Sequence, residues 1–420
     1  MTGKTGKPAA LIALFLMIAT GLFAQNSTSS PYSLYGLGIL TPKEDAAAAG
    51  MGHAGVALAP SDWVNIANPA AVNKLDSLTF YFNFQLKGFY AKEQTDNEKQ
   101  SVYSANIDGI TMGFRVTKWW GACLGYAPYS TVGYTMTDEQ YIIATNTKYK
   151  IRYTGSGGLS QAYINNAITF FKHLSLGVSV QMLWGSITKV ETALFSDVLG
   201  GEDIYNSKKY TMNNIFFEYG FQYDFNIGKN NVRIGGIYNK KTKLYSSYDH
   251  LVYNDVSSEL FFDDVTPLSD QFSVPMSYTL GATYSRNRFL ATCDYKFSEW
   301  SKIPNPKFGE TVKYRDTWQV GGGVQYVCGN IDDPFYKRLK YRLGFSYQKD
   351  YMKIRGTKFD YWGVTAGLTI PLGRWSNALV IAYEYQEHGT TFNGLVEEHF
   401  QNLKVSLNIR ETWFKKVRFD

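Results

Sequence analysis

The sequence predicts an all-β fold: a transmembrane antiparallel β-barrel of about 14 strands with an N-terminal plug, or hatch, in the lumen. Three observations predict it. First, long segments alternate apolar and polar residues. Leu78, Phe80, Phe82, Phe84 and Leu86 share one face of an extended strand, with Thr79, Tyr81, Asn83, Gln85 and Lys87 on the other. Second, aromatic residues make up 16% of the chain, an excess that girdles at two membrane interfaces would absorb. Third, the chain is 45% hydrophobic, yet its mean hydropathy is −0.24, so its apolar residues are dispersed. Beyond the N-terminus there is no run of the roughly 20 apolar residues that a spanning helix needs. A soluble β-sandwich also alternates, but its strands usually run about 5–6 residues, and these run longer.

Taken in order, residues 1–24 read as a secretory signal peptide. Lys4 and Lys7 supply positive charge, Ala9 to Phe23 is apolar, and Ala24 precedes a plausible cut. Residues 25–75 lack period-two alternation and are rich in Ala and Gly. Small residues allow close packing, and Pro69 cannot donate to a sheet ladder, so short helices and tight turns are expected there. In a barrel protein such a segment is most simply a lumenal plug.

Residues 76–414 are expected to form the barrel. Strands are expected at 77–92, 99–117, 119–137, 146–171, 173–193, 207–226, 230–249, 271–285, 287–303, 313–328, 338–355, 358–371, 376–389 and 400–412. The even count suits an up-and-down closed barrel, which exposes no edge to lipid. Short links near Lys172-His173, Asn287 and 372–376 should face the periplasm. Longer links at 196–206, 252–270 and 302–313 carry Asp, Gly, Ser and Pro and should be extracellular loops. Inward faces are polar. Lys340 and Arg342 oppose Leu339 and Tyr341, and Glu384 is expected to pair with such wall cations across the lumen. The basic tail 415–420 reads as periplasmic, solvated or against anionic lipid.

Charge and chemistry narrow the function. The net charge of +6 is too small to argue for nucleic acid. Cys123, Cys293 and Cys328 are odd in number and widely spaced, so they are no disulfide framework and leave room for at most one pair. The histidines show no metal-ligand spacing, and no metal or cofactor is expected. His53 is expected to be a hydrogen-bonded packing residue. His250 with Asp249, Asp255, Asp263 and Asp264 is the best cluster for catalysis, but acids beside a His in a long loop are usually solvated. The chain is therefore read as no enzyme. Gly321-Gly322-Gly323 is no phosphate loop, since a strand follows it.

Pro128 lies inside the third strand, flanked by Gly121, Gly125 and Gly133. Proline removes a ladder donor, so the residues permit a gap in the wall at Tyr126, Ala127, Pro128 and Tyr129. An ordinary bulge is the alternative.

The stretch Gly50-Met51-Gly52-His53-Ala54-Gly55, followed by Asn68-Pro69-Ala70-Ala71, resembles the plug of the FadL/TodX outer-membrane transport family. Ala127-Pro128-Tyr129 and the segments 161–167, 274–284, 294–301 and 314–323 match in the expected order. The resemblance implies a fourteen-stranded outer-membrane barrel, with Gly50, Gly52, Asn68, Pro69 and Ala70 in the plug. It also implies passive uptake of a hydrophobic small molecule or lipid, leaving sideways near the third strand. The opening at Ser30 to Gly38 and the Trp413-Phe414-Lys415-Lys416 ending look like a branch with accessory subunits of outer-membrane assemblies or type IX secretion. For that branch, protein partners are implied instead of a ligand.

Overall fold

Alternation along each strand sorts side chains between two media. In residues 215–224, Ile215, Phe217 and Tyr219 are about half exposed, whereas Phe216, Glu218, Gln222 and Asp224 are buried. Apart from Phe216, apolar side chains here point out and polar ones point in, the reverse of a soluble protein and the arrangement of a membrane barrel. The computed structural model describes residues 30–142, 147–195, 201–254, 260–268, 272–304, 312–329, 333–372 and 377–412. The signal peptide, the Trp413-Phe414 ending and the basic tail lie outside the described residues.

The wall is a closed antiparallel barrel of 14 strands. These are β1 (Thr79–Gln94), β2 (Lys99–Arg115), β3 (Trp120–Ile142), β4 (Thr147–Phe170), β5 (Leu174–Leu194) and β6 (Ile204–Ile227). β7 has two parts, Asn230–Asn239 and Tyr245–Asn254, as has β8, Leu260–Leu268 and Ser277–Arg286. β9 (Phe289–Ser298) is followed by β10 (Val312–Tyr314 and Thr317–Val327), β11 (Lys340–Ile354), β12 (Thr357–Leu372), β13 (Asn377–Gly389) and β14 (Glu397–Thr412). Each strand pairs with the next, and β14 pairs with β1 from Thr79↔Thr412 to Gln94↔Glu397, which closes the ring. Closure satisfies the backbone without water, as a bilayer requires.

The barrel is taller on one side. β3 to β6 run 21 to 24 residues, against 13 to 16 in β11 to β14. Here the structure corrects the expected loop at 252–270. The upper part of β7 pairs with β6 from Tyr245↔Asn213 to Asn254↔Ile204, and Leu260–Leu268 pairs back onto it. The acidic, Pro-containing composition reads locally as loop, but a tall neighbouring strand offers it a ladder. The expected loops at 196–206 and 302–313 likewise give way to strand at Ile204 and at Val312–Tyr314, and to a 3-10 turn at Trp300–Lys302.

Candidate functional site

Residues 30–76 are short pieces joined by tight turns. Asp45 caps the helix Ala46–Ala49 by accepting from Ala47 N at 2.8 Å. Asn68 caps the 3-10 turn Pro69–Lys74 by accepting from Ala70 N at 2.9 Å, with Pro69 at the position where a missing N–H is harmless. Both residues then use their remaining polar atoms on the wall. Asp45 accepts from Asn83 at 2.8 Å and Ser406 at 3.1 Å, and Asn68 donates to the Phe221 carbonyl at 3.1 Å.

The segment touches the inner face of every strand. Around the ring it meets Asn83, Gly113, Gly121, Tyr163, Gly177, Gln222, Gly235, Gly281, Asp294, Gly321, Gly344, Gly367, Glu384 and Ser406. These contacts are made with the buried faces of all fourteen strands. Many contacts are backbone to backbone, because the wall residue is glycine. A Cβ on Gly344 would sit 2.2 Å from Gly52 N, one on Gly177 2.3 Å from Ala70 N, and one on Gly50 2.9 Å from Gly367 Cα. Asp294 accepts from Gly55 N and Val56 N at 2.7 and 2.8 Å, and Gln222 donates to the Val56 and Leu58 carbonyls at 2.9 and 3.0 Å.

An ion cluster joins the segment to β2, β13 and β14. His53 Nδ1 is 2.7 Å from Glu44 and Nε2 is 2.7 Å from Glu384. Lys404 lies 2.8 Å from Asp108 and 3.5 Å from Glu44. Burial works against charge on His53, but Glu44 and Glu384 outweigh it and push its pKa up to about 10. Burial would raise Glu44, yet His53 and Lys404 hold it below its ordinary value. Glu384 therefore pairs with a cation of the N-terminal segment, not with the wall cations expected from sequence. Lys340 instead binds Asp62 at 2.5 Å, and Arg342 donates to Thr369 at 2.6 Å. The catalytic candidates separate: His250 lies opposite Asp264 and bonds Asn206 at 2.8 Å, while Asp249 and Asp263 take alternate positions on the other face. Asp255 lies outside the described residues. Among the described residues no group of three His, Cys, Asp or Glu could hold a metal ion.

The wall changes at β3. β2 and β3 pair from Arg115↔Gly121 to Ile110↔Tyr126 and no further. One residue later come Ala127 and Pro128, and the register against β4 slips between Pro128 and Ser130. The slip leaves Tyr129 as an extra residue. It packs with the internal apolar cluster, its ring 6.5 Å from Phe216. Tyr126 keeps wall geometry, with its hydroxyl 3.0 Å from Ser160 Oγ. Above the break the N-terminal segment takes the place of β2: Ile39 and Leu40 pair with Thr131 and Ser130, Thr41 N donates to the Tyr129 carbonyl, and Ser30 N to that of Gly133.

A cavity of about 680 Å3 lies behind this break. Leu40, Phe89, Ile107, Ile110, Pro128 and Leu159 give it apolar lining, and His53, Lys87, Asp108, Glu384, Glu398 and Asn402 polar lining. His388 also lines it, buried 2.7 Å from Glu398 and 3.3 Å from Asp350, with the Tyr361 ring stacked 3.7 Å away. Sequence reading named the Pro128 break but neither this cavity nor its ion pairs. The one local signal was charge on the inward positions of alternating strands.

A family model described as BamG matches residues 7–420. No curated protein matches the chain. Among solved structures, the toluene transporter TbuX of Ralstonia pickettii is 14% identical, with 87% of this chain and 98% of that one covered at a TM-score of 0.57. The toluene transporter TodX of Pseudomonas putida is 14% identical, with 89% and 99% covered and a TM-score of 0.57. A FadL homologue of Pseudomonas aeruginosa is 13% identical over 89% and 99%, also at 0.57. At such identities the likeness is one of fold, and it is to outer-membrane barrels.

Proposed function

The chain belongs to the BamG family, and we propose that it works in the outer membrane as a FadL-like barrel whose side cavity passes a hydrophobic small molecule, with residues 30–76 as a fixed plug. One observation carries the reading: the β2–β3 ladder ends at Tyr126, beside a cavity that reaches Pro128. From Trp120 to Ala127 is about 23 Å of strand, or about 18 Å of height at a barrel tilt near 40°, within an apolar band about 25 Å tall. The break therefore begins at the level of lipid. A greasy molecule can leave sideways there, between the end of the β2–β3 ladder and the Ile39–Thr41 stretch that lies against Tyr129 to Thr131. The apolar lining of the cavity takes a hydrocarbon or ring, and its polar lining a head group. Thr131→Trp, which places a bulky ring in the cavity wall, is expected to slow uptake of a labelled long-chain carboxylate or a monoaromatic into proteoliposomes by about tenfold or more. Unchanged uptake, or none with the unaltered chain, rejects the reading.

Family membership favours a second reading, an accessory subunit of an outer-membrane protein assembly. Purification in mild detergent followed by mass spectrometry separates the two. Stable partners in fixed stoichiometry, together with no uptake, favour the accessory subunit.

A further inference from the structure

At the short-turn end, below the wall break, a second cavity of about 390 Å3 opens between residues 73–74 and the β2–β3 and β4–β5 turns. Its wall holds four cations, Lys74, Arg115, Lys118 and Lys172, and two aromatic rings, Trp119 and Phe171. Lys74 is neutralised by Asp224 at 2.7 Å. Arg115 spends its N–H groups on the carbonyls of Leu75, Thr117 and Lys118. Among the described residues, Arg115, Lys118 and Lys172 have no carboxylate within ion-pair distance. Lys118 and Lys172 are thus the cations that face an anion at this concavity, with the Arg115 charge beside them, and two ammonium groups select an anion with several acceptor oxygens.

The β4–β5 turn adds an independent observation. Phe171 and Lys172 stand at φ 49° and 65°, and His173 N closes the turn on the Phe170 carbonyl at 3.2 Å. Two successive left-handed residues make a type I′-like hairpin, which favours Asn-Gly and is strained for bulky side chains. The strain sets the Phe171 ring 91% exposed beside Trp119, with Lys172 next to it. Folding alone would be better served by small residues. Above the turn, exposed Ile168, Phe170 and Leu176 continue the apolar outer face.

We infer that this rim is a binding site for the phosphate head group of an anionic phospholipid in the inner leaflet. The short turns of bacterial barrels face the periplasm, where that leaflet lies. The cations hold the phosphate, Trp119 and Phe171 sit at head-group depth, and the acyl chains lie on Ile168 and Leu176. This site is separate from the side cavity and does not depend on it.

The test uses the whole mature chain in nanodiscs of phosphatidylethanolamine, with or without phosphatidylglycerol, and native mass spectrometry to read bound lipid. Retention of phosphatidylglycerol is expected, weakened roughly thirty-fold in Lys118→Gln/Lys172→Gln, the effect of two surface cations. Phe171→Asn/Lys172→Gly is the second variant: it should raise the melting temperature by relieving the turn while also lowering retention. Equal retention in all three chains overturns the proposal. So does tight binding of inorganic phosphate without bilayer, which would make this a free-anion site, or loss of a bound protein with no change in lipid.

Discussion

Gly321→Ala/Gly344→Ala is expected to unseat residues 46–58 and turn a closed barrel into a leaky one. A Cβ on Gly321 would lie 2.0 Å from the Gly52 carbonyl oxygen, and one on Gly344 2.2 Å from Gly52 N. Both obstacles are backbone, so no rotamer change relieves them. Overpacking of this kind costs roughly 1–3 kcal/mol per site, and here both methyls push on the same residue. The wall does not need residues 46–58 for its own ladder, because β10, β11 and β12 are paired to each other at this level, from Gly321↔Ser346 and Gly323↔Gly344 to Gly344↔Thr365. The strain should therefore fall on the inner segment. The expected results are protease cutting near Gly52 in the assembled barrel and a steady ion conductance in planar bilayers, absent from the unaltered chain. Gly88→Ala is the control, since its Cβ would meet nothing closer than 3.6 Å. A doubly substituted barrel that stays protected and silent would mean that residues 46–58 do not block the lumen.

The wall was legible because its signal is local. Each strand carries its own alternation, and the two media differ so sharply that Phe217 and Glu218 cannot exchange faces. Pro128 was legible for the same reason: a missing N–H inside a strand is visible from one residue. The upper hairpin of β7 and β8 was not, because Asp263, Asp264 and Pro267 favour turns, while the strand that recruits them is the upper part of β7, itself held on the tall edge of β6. The ion cluster was hidden more deeply. Glu384 and His53 are separated by 331 positions. The alternation shows that Glu384 faces inward, but it does not show which lumenal group meets it. Glu44, decisive here, reads in sequence as one acid beside an Ala-rich stretch. The small residues of the inner segment were recognised as close-packing, yet their counterparts, the wall glycines 177, 321, 344 and 367, look in sequence like ordinary weak points in strands.

His53→Gln should loosen the inner segment with a pH dependence that identifies the cause. His53 holds two carboxylates from different elements, Glu44 beside it and Glu384 on β13. Glutamine keeps some hydrogen bonding but supplies no charge. Removing one member of a buried ion cluster costs about 3–5 kcal/mol, with Lys404, 3.5 Å from Glu44, reducing the loss at that acid. The sign follows from the raised pKa. A group at 6.5 when free and about 10 when seated contributes its full stabilisation below 6.5, and loses it as pH rises through about 10. Glu44, held below its ordinary 4.5, contributes above that pH and loses its share as pH falls through the depressed value. The difference between the two chains should therefore be greatest near pH 6, as read by protease protection of residues 30–76. It should shrink steadily as pH rises above 6.5 and be gone above about 10, where the unaltered chain has also lost the imidazolium. It should narrow again in acid, where Glu44 and Glu384 of the variant take up protons and no longer need a cation. A gap that stays constant across this range would mean that His53 acts through shape and hydrogen bonding, with its charge irrelevant to holding the segment in place.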